Sequence, residues 1–260
     1  MKIILGGTRG SFPVSGDDSR RYGGDTFSLL VEDVEGGQVL IDAGSGIRRL
    51  KDRLHPNGTV LFTHTHLDHL IGLPLLEELH PRQFVLPRGG LEAVLKRVFS
   101  PPVWPVLLSD TEYPSPTSPM ELGRLQISWQ PVAHPDGCVA YRVDEPATGA
   151  SLVVATDTEW QAMSAAGQTA FVEFARGADL MVFDAQFRPA EYEAHKGWGH
   201  STWEDAVDAA RRCGVEQLWL MHHSPERTDA ELDEMSAAVS AVFPGAIFPT
   251  VEQMMETLHE

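Results

Sequence analysis

Thr63-His64-Thr65-His66-Leu67-Asp68-His69 is the stretch on which the reading of this chain turns. It ends the apolar run Thr59 to Thr63, which reads as a strand, and precedes Ile71 to Leu79, which reads as helical despite Pro74. In β-like backbone, side chains two residues apart share a face, so His64 and His66 can reach one metal ion together. The turn into the following helix lets Asp68 and His69 address a second ion nearby. Imidazole and carboxylate donors suit zinc first, with manganese or iron as alternatives, and the cluster lacks the cysteine of a soft thiolate site. A polar loop rich in histidine by coincidence is the plainer reading, but it rarely places four candidate ligands within positions 64–69.

The same arrangement recurs downstream: an apolar strand ends and a histidine or aspartate follows. Asp157 comes after Ser151 to Ala155, Asp184 after Asp179 to Phe183, and His222 after Gln217 to Met221. Strand ends hold ligands on a rigid sheet with little reorganisation. His134 lies in a turn between the strand-like Leu125–Trp129 and Cys138–Val143. Taken singly, His134 before Pro135 reads as a surface-turn residue and Asp157 as a turn former. Their weight comes from completing the first motif.

Further strands are expected at Ile3–Leu5, stopped by Gly6-Gly7-Thr8-Arg9-Gly10, and at Thr26–Val31 and Val39–Ile41 around a Gly36-Gly37 turn. Helical patterns cover Ile47–Leu54, Leu91–Phe99, Phe171–Arg176 and Asp229–Val242. Ser201 with Glu204 fits a capping box for a helix running to about Arg212. The proline-rich stretch 101–119 reads as irregular, with Trp104 and Tyr113 either covering a pocket or packing the loop onto the core. This alternation of strand blocks and helices indicates one α/β unit of two sheets covered by helices.

Composition bounds the function. The 260 residues, 42% hydrophobic, are enough for one substantial core. Two cysteines, Cys138 and Cys213, exclude a disulfide scaffold or a zinc-finger spacing and read as reduced thiols, one in a turn and one near a helix end. The opening Met1-Lys2-Ile3-Ile4-Leu5 is too short for a signal peptide, and no run approaches the roughly 18 apolar residues of a membrane span. A cytoplasmic protein without membrane attachment is therefore expected. The formal net charge of −17, from 37 acidic and 20 basic side chains, repels phosphate backbones. Extended nucleic acid is thus a poor partner, whereas a small phosphorylated molecule is not excluded, because bound cations set the local potential.

These residues carry a strong resemblance. Leu40-Ile41-Asp42-Ala43-Gly44, Thr63 to His69, His134, Ala155-Thr156-Asp157-Thr158, Gly199-His200-Ser201-Thr202 and Leu220-Met221-His222-His223-Ser224 are similar to the metallo-β-lactamase superfamily. Within it the chain resembles the tRNA 3′-processing endonuclease and cyclic-nucleotide phosphodiesterase branch. The resemblance implies an α/β fold of the metallo-β-lactamase type, an αββα four-layer sandwich with two mixed β-sheets, spanning 1–260 as a single hydrolase domain. It implies that His64, His66 and His134 bind one divalent ion, that Asp68, His69 and His222 bind another, and that Asp157 bridges them. A water between the ions would lose a proton and attack phosphorus as hydroxide. Asp42 resembles the aspartate that orients a ligand histidine from behind, a strand-cap role being its bland alternative.

Asp68, Asp184 and His200 are the catalytic candidates. The histidine of a Gly-His-Ser-Thr segment resembles the one that contacts phosphate and protonates the leaving oxygen, steadied by a carboxylate at the preceding strand end. The branch usually shows glutamate followed by Ala-Thr-Phe there, whereas this chain reads Asp184-Ala185-Gln186-Phe187. The shorter acid leaves the Asp184–His200 pairing open, and His200 could instead only cap the next helix. His223 should point away from the metals. His195, Lys196 and Trp198 could line the entrance and meet a phosphate or a base, or simply form a surface loop. The expectation is a two-metal phosphodiesterase acting on a small phosphodiester such as a cyclic nucleotide. Its alternatives are a tRNA 3′-processing endoribonuclease, a hydrolase of small carboxylic esters or lactones, and a non-catalytic metal-binding protein. The resemblance also carries the expectation of a homodimer.

Overall fold

The computed structural model describes residues 1–79, 81, 83–105 and 111–259, so the 106–110 part of the proline-rich stretch lies outside the described residues. Two mixed sheets organise the chain. The first holds β1 (Lys2–Gly7), β2 (Ser28–Glu32), β3 (Gln38–Ile41), β4 (Thr59–Leu61), β5 (Gln83–Val85) and the late β13 (Met255–Thr257), in the order β13-β1-β2-β3-β4-β5. The second holds β6 (Met120–Leu122), β7 (Leu125–Val132), β8 (Cys138–Glu145), β9 (Ala150–Ala155), β10 (Leu180–Asp184), β11 (Gln217–Met221) and β12 (Ala246–Ile247), in the order β12-β11-β10-β9-β8-β7-β6.

Short turns make β2-β3 and β6-β7-β8-β9 antiparallel, and β1 pairs antiparallel with β2 across the longer 8–27 connection. The connections that carry helices make β3-β4-β5 and β9-β10-β11-β12 parallel. Helices α1 (Ile47–Leu50) and α2 (Leu91–Val98) cover the outer face of the first sheet. On the second sheet lie α3 (Ala165–Ala175), the short α4 (Tyr192–His195), α5 (Trp203–Cys213) and α6 (Asp229–Val242). Three apolar clusters separate these layers. One lies between the sheets, where Phe27, Leu29, Ile41, Tyr141, Val154 and Val182 meet. One lies under α1 and α2, and one under α3, α5 and α6. The architecture is the expected four-layer αββα sandwich.

Because β9, β10 and β11 are buried on both faces, they read as unbroken apolar runs rather than alternating ones. β3 and β4 of the first sheet and β9, β10 and β11 of the second end at one rim, where crosslinks such as Val139 N to Thr63 O (3.1 Å) and His223 N to Thr8 O (3.0 Å) join the sheets. Ligands of α/β sheets gather outside such carboxyl ends.

Several local expectations change. The N-cap of α5 is Thr202, not Ser201: Thr202 Oγ1 accepts from Asp205 N at 3.2 Å, and Asp205 Oδ2 accepts from Thr202 N at 3.0 Å. Ser201 Oγ is taken by Trp160 N and Thr158 O. Pro74 leaves Leu73–Leu79 as a 3-10 helix rather than an α-helix. Cys138 opens β8 rather than a turn. Trp104 packs on Phe99 and Tyr113 on Phe84, so both aromatics fasten the long loop to the core. Among the described residues, no helix is long and apolar enough to cross a membrane.

Candidate metal centre

The strand-end residues converge at the shared rim. One group brings together His64, His66 and His134, and the adjoining one Asp68, His69, Asp157 and His222. Asp157 lies against both, with Oδ1 at 3.6 Å from His64 Nε2 and 3.1 Å from His222 Nε2, and Oδ2 at 3.1 Å from His69 Nε2. All seven sequence-selected positions therefore gather in one place. His66 is the member most open to solvent, its side chain 40% exposed, so the centre opens on that side.

Hydrogen bonds behind the rings fix which nitrogen faces the centre. Asp42 takes Thr63 N (2.8 Å) on Oδ1, and Thr63 Oγ1–H (2.7 Å) and His69 Nδ1–H (2.8 Å) on Oδ2. Since the Thr63 hydroxyl spends its proton on Asp42, it accepts from His64 Nδ1–H at 3.0 Å. His134 Nδ1–H donates to Gly199 O at 2.9 Å. In each ring Nδ1 donates its proton backwards, so Nε2 is the nitrogen turned to the centre and the one that would bind a cation in place of a proton. Asp42 thus has the supporting role expected of it.

The chemistry of this donor set fits cations. His64 Nε2 and His69 Nε2 are buried and lack a hydrogen-bond partner; His69 Nε2 is close to Asp157 but not in hydrogen-bonding geometry. His134 Nε2, already fixed as an acceptor, faces His66 Nδ1 at 3.0 Å. Buried polar atoms seldom go unpaired, and lone pairs converging this way are stabilised by a shared cation. The electrostatics agree. Burial pushes the Asp157 carboxyl up, but His222, His69 and His64 outweigh it and hold it well below the usual carboxylate range. Burial lowers His222, yet Asp157 and Asp68 raise it to about 10. Burial and the neighbouring His69 hold His64 well below the ordinary imidazole value. The Asp68 half is thus negative enough to hold protons where a metal would compete for the same nitrogens.

The backbone is bent to reach this geometry. Asp42, Asp157 and His222 have φ of 56°, 53° and 63°, a left-handed region that side-chain-bearing residues seldom adopt. Each such position costs about 1–3 kcal/mol and persists where the surroundings hold it.

His200 is outside those two groups but adjoins both, its ring nitrogens meeting His134 and Asp157 on one side and Asp184 and His222 on the other. Its Nδ1 is 2.7 Å from Asp184 Oδ2, while Asp184 Oδ1 accepts from Ser201 N (3.0 Å) and Gln186 N (3.2 Å). The shorter carboxylate does reach the histidine. The His200 ring stacks on His222 at 4.5 Å and meets His134 edge-on at 5.1 Å. His223 turns away into a buried pocket against Tyr22 and Phe248.

Four residues have supporting roles that the sequence reading did not assign. Gly10 lies against the His222 ring and Gly199 against His134, where a Cβ would collide with the imidazole in each case. Ser11 N donates to Asp68 Oδ2 at 2.8 Å. Glu159, buried two residues after Asp157, receives Gly197 N (2.8 Å), Gly199 N (2.9 Å) and the Tyr192 hydroxyl (2.8 Å). The glycine-rich stretch before Ser11 was visible as a turn signal, but nothing in the sequence ties it to His222. Glu159 carries no motif.

A ribonuclease Z from Lachnoclostridium phytofermentans is 26% identical over 95% of this chain and 94% of its own length. Among solved structures, zinc-bound PqqB from Methylobacterium extorquens superposes with a TM-score of 0.73 at 15% identity, covering 99% of this chain and all of that one. A protein described as a new diphosphatase from the PhnP family superposes at 0.70 with 22% identity, over 96% of this chain and 94% of that one. The family described as the beta-lactamase superfamily domain matches residues 38–223, from β3 through the His222-His223 pair. With its αββα sandwich and paired histidine–aspartate clusters at one rim, the chain belongs to the metallo-β-lactamase superfamily and is a metal-dependent hydrolase.

Proposed function

We propose that this hydrolase is a dinuclear phosphodiesterase acting on a small phosphodiester, a cyclic nucleotide being the leading example. The observation that carries it is the Asp184–His200 pair, a buried imidazole oriented by a carboxylate and stacked on His222 at the edge of the metal centre. Hydrolysis of a carboxylic ester or lactone can proceed without a dedicated acid aimed at an alkoxide. Departure of an alkoxide from phosphorus gains most from one.

His64, His66 and His134 would hold one divalent ion; Asp68, His69 and His222 the other; Asp157 would lie between them. Zinc suits the imidazole-rich set best, with manganese or iron as alternatives. When bound, the ions supply Lewis acidity toward the phosphoryl oxygens and a nucleophile at neutral pH. The chain's own residues do the rest. Asp42 and Thr63 hold His69 and His64 in the tautomer with Nε2 forward. Gly199 does the same for His134. Asp184 accepts from His200 Nδ1–H; with the ring doubly protonated, the proton carried on Nε2 is the one that would pass to the leaving oxygen, Nδ1 keeping its own. Burial around Asp157 excludes bulk water and strengthens these interactions.

The net charge of −17 supports a small substrate over extended nucleic acid. Similarity to a protein described as a diphosphatase is in keeping with a compact phosphate ligand. A second reading, tRNA 3′-end processing, is favoured by the full-length relationship to a ribonuclease Z. A zinc- or manganese-loaded protein should be tested on 2′,3′- and 3′,5′-cyclic mononucleotides, cyclic and linear dinucleotides, simple carboxylic esters and precursor tRNA. Turnover of small diesters in preference to the others is expected. Robust cleavage of precursor tRNA with no action on small diesters would overturn the reading in favour of the second.

A further inference from the structure

We infer that Trp198 forms a stacking seat for a planar aromatic group attached to the substrate phosphate, a nucleobase or an aryl ring; this rests on the phosphodiesterase reading. An exposed large apolar side chain calls for an explanation chiefly where the chain is built to hold it out. Here it is. Gly197 and Gly199 on either side have φ of 85° and 92°, a conformation glycine adopts freely. Their amides donate to the two oxygens of one buried carboxylate, Gly197 N to Glu159 Oε1 and Gly199 N to Oε2, at 2.8 and 2.9 Å. Trp198 N is tied to His195 O at 3.0 Å. The indole rests edge-on against the His195 ring at 4.9 Å, and that ring is itself stacked on Phe187 at 4.4 Å. Even so, Trp198 remains 62% exposed.

The location matters as much as the rigidity. The next residue, Gly199, accepts the His134 Nδ1 proton at 2.9 Å, and His200 follows it. Phe187 reaches back to within 6.2 Å of the His200 ring. An aromatic path of His200, Phe187, His195 and Trp198 therefore runs from the acid–base pair to the surface. Trp198 thus stands two residues before His200, the group that would meet the ester oxygen of a phosphate held at the metal centre. A side chain whose flanking backbone is pinned and whose ring rests against His195 loses less freedom when a base stacks on it. Stacking of this kind tolerates any base, because every base offers a π face.

The test is calorimetric binding of AMP, phenyl phosphate and glycerol 3-phosphate to the full zinc-loaded chain, alongside its diesterase activity. Trp198→Ala should weaken AMP and phenyl phosphate by about tenfold relative to glycerol 3-phosphate. Trp198→Phe should recover most of that loss, and both variants should melt with the wild type. Wild-type affinity for AMP above that for phenyl phosphate assigns the seat to a nucleobase; the reverse order assigns it to a simple aryl ester. Equal losses for all three ligands, no loss for any, or failure of the wild type to bind either aromatic phosphate would overturn the inference. A protein that hydrolyses small diesters yet behaves this way refutes the seat alone. One that binds AMP through Trp198 but hydrolyses no phosphodiester refutes the proposed activity instead.

Discussion

Asp184 Oδ2 stands 2.7 Å from His200 Nδ1, and the other oxygen of the same carboxylate is claimed by two backbone amides. The carboxylate therefore cannot rotate without breaking three contacts, and it dictates that one His200 proton sits on Nδ1. Asp184→Asn retains the shape but can offer only one acceptor oxygen to donors on both sides. His200→Ala removes the acid altogether. Either change should lower kcat for a small diester by about 10²- to 10⁴-fold while leaving metal stoichiometry intact. Steady-state kinetics with metal analysis decide this; loss of bound metal in His200→Ala would show instead that the ring is a ligand.

Asp42 offers a second test of how the centre is held. It sits behind His69, outside the candidate ligand groups, and it accepts from Thr63 twice and from His69 Nδ1. Replacing it with Asn turns one acceptor into an amide donor facing His69, which favours the wrong tautomer. Asp42→Asn should therefore weaken metal binding at the Asp68 half by about 10- to 100-fold. Competition with a chelator measures this directly. An affinity equal to wild type would mean that Asp42 serves only as a strand cap.

Much of this was legible beforehand, and the difference between what was and was not is physical. Most of the candidate ligands and Asp42 lie just past strand ends, where apolar runs announce the element and a polar residue stops it, while Asp68 and His69 sit in the 3-10 turn Leu67–His69 that follows the first motif. Short edge strands such as β5, β6, β12 and β13 carry too few residues for a periodic signal and form only because a neighbour offers its edge. The capping error at Ser201 has a similar origin. Ser201-Thr202-Trp203-Glu204-Asp205 satisfies the box in two registers, and the choice is made by Trp160 and Thr158, remote in sequence, which occupy the Ser201 hydroxyl. Gly10, Gly199 and Glu159 likewise act through contacts that only the closed sandwich creates.

Asp33 links the two sheets far from the metals and predicts a pH effect. Its Oδ1 accepts from Glu35 N and Gly37 N at 2.8 and 2.7 Å in the β2–β3 turn, and its Oδ2 accepts from Arg124 N at 2.9 Å in the β6–β7 turn. Burial pushes this carboxyl up, but the backbone donors outweigh it and hold it below its ordinary value of 3.8. A group depressed in this way adds stability that is fully present above the unfolded value and lost as pH falls through the folded one. Asp33→Asn should cost about 1–3 kcal/mol at neutral pH. In urea melts that difference should shrink below about pH 4 and vanish at lower pH. A difference independent of pH would mean that shape, not charge, is what the turn requires.

The two glycines that face ligand rings should uncouple the halves of the centre. At Gly10 a Cβ would collide with the His222 ring, and at Gly199 with His134. Gly199 also needs its φ of 92°, so Gly199→Ala strains the backbone as well as displacing the ring. His222 serves the group containing Asp68, whereas His134 serves the one containing His64 and His66. Gly10→Ala should therefore lose the ion held by Asp68, His69 and His222 first. Gly199→Ala should lose the ion held by His64, His66 and His134, together with the His200 alignment. Native mass spectrometry during stepwise zinc addition would show one tight and one weakened site in each variant, against two tight sites in the wild type. Cobalt substitution would distinguish the three-imidazole half from the carboxylate-bearing half by its visible spectrum. If both variants weakened the same half, the division of ligands between the ions would be wrong.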